Sequence, residues 1–162
     1  MFNKQMKVSV ILPVINETFS LTKTVELILT ENQEDIYEII IIISKEKTTI
    51  SSLNIIKKLE VSYQNIIKVF SQDRPFIGGA IQKGFKETSG THVIMMASDL
   101  ETDPKDVKKL IFTSKANPES IVTANRWLVG GGFYKYNKIK LFINFFFQNL
   151  LKIIFNTNLS DI

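Results

Sequence analysis

The sequence predicts an α/β domain built on a mostly parallel sheet flanked by helices. Three observations carry that expectation. Short apolar runs rich in Cβ-branched residues end abruptly in loops, segments with helical apolar spacing lie between them, and the two kinds alternate along the first 125 residues. Such alternation implies right-handed strand–helix–strand units, which place the strands parallel.

Taken in order, Val8-Ser9-Val10-Ile11-Leu12-Pro13 is an apolar run stopped by proline, the pattern of a buried parallel strand that ends at a loop. Apolar residues at 21, 25, 28 and 29 recur at helical spacing over residues 20–29, with Ser20 as the expected N-cap. Residues 36–43 include five consecutive isoleucines at 39–43, whose Cβ branching and bounded length favour a central strand buried on both faces. A helix is expected over residues 51–61 and a strand over 66–70. Gly78-Gly79 then forms a close turn before a helix over 80–88, and residues 91–97 read as a fourth strand. An acidic loop over 98–104, a helix over 106–116 and a short strand over 120–124 complete the pattern. Ligands in open α/β sheets bind beyond the carboxyl ends of the strands, so residues 13–17, 44–47 and 98–103 are expected to converge on one rim.

A chain of 162 residues has room for one such domain, with roughly 70% of its unfolded surface buried, and no repeat or low-complexity linker divides it. Cysteine is absent, which removes disulfide scaffolds, thiolate metal sites and thiol nucleophiles and fits a reducing compartment, with the cytoplasm as the default. The first residues lack the length and cleavage site of a signal peptide. No stretch reaches the ~18 uninterrupted apolar residues of a membrane span. The final residues do not read as a natural finish, and the chain is expected to be part of a longer one.

The formal charge of +4 hides an asymmetry: residues 1–125 carry 15 basic and 15 acidic side chains, so the whole excess falls in residues 126–162. There, after the Gly130-Gly131-Gly132 hinge, residues 136–155 read as a long helix. Lys140, Asn144, Gln148, Lys152 and Asn156 recur every fourth residue as a polar ridge, and Phe142, Phe145, Phe146, Leu150, Ile153 and Ile154 lie opposite. A basic, aromatic amphipathic helix suits a membrane interface, with packing on a protein core as the plainer alternative. Nucleic-acid binding is not expected, because the basic excess follows one aromatic helix rather than a groove.

Chemistry points to Ser98-Asp99-Leu100-Glu101-Thr102-Asp103-Pro104, where a strand runs into closely spaced carboxylates. Hard oxygen ligands of this kind suit Mg²⁺ or Mn²⁺ bridging the phosphates of a nucleotide. Asp99 and Glu101, spaced i, i+2, reach one ion if the backbone between them is extended, whereas Asp103 is placed to cap the following helix. The alternative is an acidic loop that only begins a helix. His92, the single histidine, falls at a strand start and is not expected to be catalytic.

The order of these motifs, Val8-Ser9-Val10-Ile11-Leu12-Pro13 with Asn16-Glu17, the strand over 38–43, Gly78-Gly79-Ala80 with Gly84, Ser98-Asp99-Leu100 with Pro104, and Asn125-Arg126, resembles family 2 glycosyltransferases of the GT-A fold, in particular the dolichyl-phosphate-sugar synthase type. The resemblance spans nearly the whole chain. It implies a nucleotide-sugar-binding part over 1–125 and an acceptor and membrane-interface part over 126–162. It further implies a metal-dependent, inverting transfer from a nucleotide-sugar donor to a lipid-phosphate acceptor at the cytoplasmic membrane face. By the same resemblance Pro13, Ile15 and Glu17 cradle the nucleotide, Asp99 and Glu101 hold the Mg²⁺ or Mn²⁺, Arg126 binds phosphate oxygens, and Asp161 stands at the start of the acceptor motif as a base or positioning group.

Two positions depart from the family's pattern. Ser44 replaces an acid that contacts base and ribose, and Ala97 replaces the first acid of Asp-x-Asp. Ser44 and Ser98 are the residues left to make those contacts, each lost charge-assisted bond being worth about 1.5 to 3 kcal/mol. A degenerate, non-catalytic module of the same fold that binds a membrane or partner is therefore a second reading. A sugar nucleotidylyltransferase is a third, disfavoured because the glycine-rich, lysine-containing phosphate loop is missing.

Overall fold

The computed structural model describes residues 6–125 and 137–155. The chain divides into two compact units, Met1–Ala116, which holds the sheet, and Asn117–Ile162, which holds the C-terminal helix.

In the first unit the elements run β1 (Val8–Val14), α1 (Phe19–Asn32), β2 (Ile36–Ile43), α2 (Ile50–Ser62), β3 (Ile67–Ser71), α3 (Phe76–Glu87), β4 (His92–Met95) and α4 (Asp106–Ala116). All four strands are parallel, in the order β3-β2-β1-β4. The expected α/β fold is thus observed, with the isoleucine-rich β2 in the sheet interior. Strand order reverses between β1 and β4, because the chain moves outward through β2 and β3 and then returns past β1.

Alternation along the strands explains the layers. Val8, Val10, Leu12 and Val14 of β1 join Ile39 and Ile41 of β2 on one face, under Leu21, Val25 and Ile28 of α1, Ile56 and Leu59 of α2, and Val107 and Ile111 of α4. Ile11, Ile40 and Ile42 point to the other face, where Ala80 of α3 covers them. A single helix must shield that face closely. A Cβ on Gly84 would stand 2.5 Å from Ile11 Cγ2, so α3 approaches β1 to a distance only glycine permits.

The sequence placed several boundaries differently. Ser20 does not cap α1: Thr22 N already donates to Thr18 O at 3.1 Å, so the helix starts before Ser20, with Thr18 at the N-cap and no side-chain cap bond. Gly78 and Gly79 do not precede α3 but lie in its first turn, because Pro75 at the N-cap starts the helix earlier. β4 is shorter than 91–97, and the strand expected over 120–124 is not formed; Ile121 there is exposed.

At the amino end of the sheet a buried carboxylate ties three segments together. Glu38 is fully buried; its Oε1 accepts from Ser9 Oγ at 2.7 Å and from Ser89 N at 2.6 Å, and its Oε2 accepts from Lys68 Nζ at 2.6 Å. Gly90 N completes the set by donating to Ser9 Oγ at 2.9 Å. Burial opposes ionisation of Glu38, but the Lys68 ammonium, the Ser9 hydroxyl and the Ser89 amide outweigh it and hold the carboxyl below the usual carboxylate range. Lys68 is correspondingly raised by its bond to Glu38.

In the second unit α5 (Lys138–Phe155) starts two residues later than expected, since Asn137 caps it: Asn137 Oδ1 accepts from Ile139 N at 2.8 Å. Gln148 on the polar ridge is buried, whereas Phe142, Phe145, Phe146, Phe147, Ile153 and Phe155 are exposed. Among the described residues no helix is long and apolar enough to cross a membrane.

Glu38→Ala leaves the buried Ser9 hydroxyl without its acceptor and takes the partner from Lys68 and the Ser89 amide, and should lower unfolding free energy in urea by about 3 kcal/mol. Because the folded carboxyl lies below its unfolded value near 4.3, the wild-type contribution is complete above that pH and is lost as pH falls through the folded value. Glu38→Gln should flatten this acid-side loss, which urea midpoints between about pH 3 and 7 would show.

Candidate functional site

The carboxyl ends of β1, β2 and β4 converge as the alternation predicts, and side-chain hydrogen bonds join them. Thr48 Oγ1 donates to Val14 O at 2.9 Å and accepts from Ser44 N at 2.9 Å, joining the ends of β1 and β2. Thr49 N donates to Ile15 O at 2.8 Å. Ser98 Oγ donates to Pro13 O at 3.0 Å and joins the end of β4 to that of β1. Glu17 turns back on its own loop, Oε2 accepting from Ile15 N at 2.6 Å and Asn16 N at 3.0 Å, which shapes the segment between β1 and α1.

Beyond the ends of β1, β2 and β3 opens a cleft of about 640 Å³, within the range of small-molecule sites. Pro13, Ile15 and Ser44 line it, together with Lys47, Arg74 and Phe76. The sequence reading named the first three but passed over the segment from Gln72 to Ile77, because it listed the ends of the first, second and fourth strands and left out the third. The signal was present: Asp73-Arg74-Pro75 closes one apolar run and begins the next helix, which places it on the same rim.

The hydroxyls of Ser44 and Ser98 each have a backbone partner at the rim. Ser44 Oγ accepts from Lys47 N at 3.3 Å, and Ser98, 1% exposed, commits its proton to Pro13. Both shape the rim. The cleft's charged lining is mixed, Lys45, Lys47 and Arg74 beside Glu46 and Asp73.

Asp99 and Glu101 stand exposed in the loop after β4, but the backbone between them is not extended. Leu100 takes a φ of 68°, and Asp99 Oδ1 accepts from Glu101 N at 2.9 Å in a local turn. Asp103 Oδ1 accepts from Lys105 N at 3.0 Å at the start of α4, the helix-initiating role expected of it. No three His, Cys, Asp or Glu side chains gather as a ready metal cage among the described residues. The extended spacing expected to bring both carboxylates to one ion is therefore not observed; they stand exposed in one turn, and what one or both would hold together with substrate phosphates is an ion of the Mg²⁺ type, which keeps waters. Arg126 and Asp161 lie outside the described residues.

The strand order, the reversal between β1 and β4 and a cleft outside the carboxyl ends define an open, doubly wound α/β domain with a ligand crevice at its rim. Residues 9–161 match the family described as Glycosyl transferase family 2, and the chain belongs to that family. It is 32% identical over 127 residues to a Dolichol-phosphate mannosyltransferase of Pyrococcus furiosus, covering 78% of this chain and 35% of the relative. It is 29% identical over 131 residues to the Undecaprenyl-phosphate 4-deoxy-4-formamido-L-arabinose transferase of Proteus mirabilis, 77% of this chain and 39% of the relative. To Glycosyltransferase AglD of Haloferax volcanii it is 24% identical over 127 residues, 76% of this chain and 20% of the relative. The matched segments thus span between a fifth and two-fifths of these relatives' lengths.

Glu17→Ala should free the Ile15 and Asn16 amides and speed their hydrogen exchange by roughly tenfold, the loss of about 1.4 kcal/mol of local protection, with little change at β2.

Proposed function

We propose that the chain is the donor-binding part of a metal-dependent, inverting glycosyltransferase that moves a sugar from a nucleoside diphosphate to a polyprenyl phosphate. The observation that carries this is a ligand-sized cleft on the rim of a family 2 fold, lined by Pro13, Ile15 and Ser44, on the sheet end that also bears the Asp99 loop. The names of the relatives, which transfer sugars to dolichol-type and undecaprenyl phosphates, support the acceptor class.

In this reading the rim loops bind the nucleotide. Asp99 and Glu101 hold Mg²⁺ or Mn²⁺, which when bound supplies positive charge to the diphosphate oxygens. Arg126 adds a guanidinium toward the same phosphates or those of the acceptor. An acceptor phosphate oxygen attacks the anomeric carbon, the bond from that carbon to the diphosphate breaks, and the electron pair leaves with the diphosphate. That nucleophile is already ionised, so Asp161 acts to position it rather than to remove a proton.

The exposed phenylalanines of α5, with Lys138, Lys140 and Lys152 on the same helix, support peripheral attachment at the cytoplasmic membrane face, where a lipid-phosphate acceptor is presented.

Calorimetric titration with UDP and GDP, with and without Mn²⁺, tests the donor site. Metal-dependent binding that is lost in the Asp99→Ala, Glu101→Ala double variant is expected; absence of binding under every condition would leave the non-catalytic binding module as the better account. In liposome flotation with anionic vesicles, the wild type should float and a Phe145→Asp, Phe146→Asp variant should remain in the soluble fraction.

A further inference from the structure

The loop from β3 to α3 is braced from two sides. Gln72 Nε2 donates to Arg74 O at 2.7 Å, and a Cβ on Gly79 would lie 2.0 Å from that same carbonyl, so the loop is pressed against the first turn of α3. Beside these braces Phe76 takes a φ of 64°, a region that glycine enters freely and that a side chain with a Cβ enters only at a cost. Such a conformation persists where the surroundings over-determine it.

Packing does not repay that cost, because Phe76 is 76% exposed. What the conformation achieves is position: the ring forms part of the wall of the cleft. Lys47 Nζ stands 5.3 Å from the ring centroid, and Lys45 and Arg74 line the same cleft. An open aromatic face next to cations, in a cleft of this size, is complementary to a ligand that joins a planar heteroaromatic ring to an anionic tail. A nucleoside diphosphate has that form.

We infer that Phe76 is the platform on which the base of the nucleotide donor stacks. The inference rests on the nucleotide-sugar reading above and assigns the base to the β3–α3 side of the cleft. Phe76 is a binding residue that takes no part in bond breaking. It also holds a conformation better suited to glycine, so affinity and stability should respond to its replacement in opposite directions.

Phe76→Gly and Phe76→Trp in the full chain, titrated calorimetrically with UDP and GDP in the presence of Mn²⁺ and followed by thermal unfolding, test this. Phe76→Gly should bind the preferred nucleotide roughly tenfold or more weakly, the typical effect of removing a stacking partner, while its Tm equals or exceeds that of the wild type. Phe76→Trp should retain nucleotide affinity. Wild-type affinity in Phe76→Gly, or weakened binding accompanied by a lowered Tm and not restored in Phe76→Trp, would overturn the stacking role and leave the donor site standing. If the wild type binds neither nucleotide, the donor reading fails and the stacking role with it.

Discussion

Both faces of a parallel sheet must be covered, and in this chain the second face depends on one close contact. α1, α2 and α4 share the first face, but among the described residues α3 is the helix that covers Ile11, Ile40 and Ile42, and it does so through Ala80 and through Gly84 against Ile11. That contact carries the chain across β1 and allows β4 to pair on the far side, Val8 against His92 and Ile11 against Met95. The reversal of strand order follows, which brings the loop after β4 to the same rim as the ends of β1 and β2. A side chain larger than hydrogen at position 84 would disturb the layer that puts Ser98 beside Pro13.

The two poles of the sheet are built differently. At the amino pole, Glu38 satisfies donors from Ser9, Lys68 and Ser89 in a closed network whose job is to join strands and the α3–β4 turn. At the carboxyl pole the polar side chains shape loops and leave a cleft open. The non-glycine residues with positive φ among those described, Phe76 and Leu100, both lie at the carboxyl pole, one at the first position of α3 and one in the loop after β4. Backbone strain therefore accumulates where ligands are expected and is absent where the fold is fastened.

Much of the architecture was legible because it is written in period and branching. The run of five isoleucines marked β2, since a bounded run of Cβ-branched residues suits a strand buried on both faces, and the 106–116 helix is observed as expected. What the sequence concealed was decided by contacts remote along the chain. The place of Gly79 inside α3 depends on the Arg74 carbonyl, and the shortness of β4 on how far β1 accompanies it. For the site, the strand-end pattern brings residues 13–17, 44–47 and 98–103 to one rim, but the backbone partners of the Ser44 and Ser98 hydroxyls and the turn at Leu100 are set by contacts that no local pattern reveals.

The pairing of β1 with β4 also sets the course of folding. Their partners are 84 residues apart, so one edge of β1 stays open during synthesis until the segment around His92 has emerged and returned. Meanwhile β2 carries five adjacent isoleucines, a segment with the composition of a cross-β former. The helix that covers it on one side, α3, and the strand that closes β1 arrive only after β1, β2 and β3 have emerged. Solubility of the nascent chain is thus a race between the return of α3 and β4 and the association of uncovered β2 strands, and slowing that return favours aggregation even when the finished fold is stable.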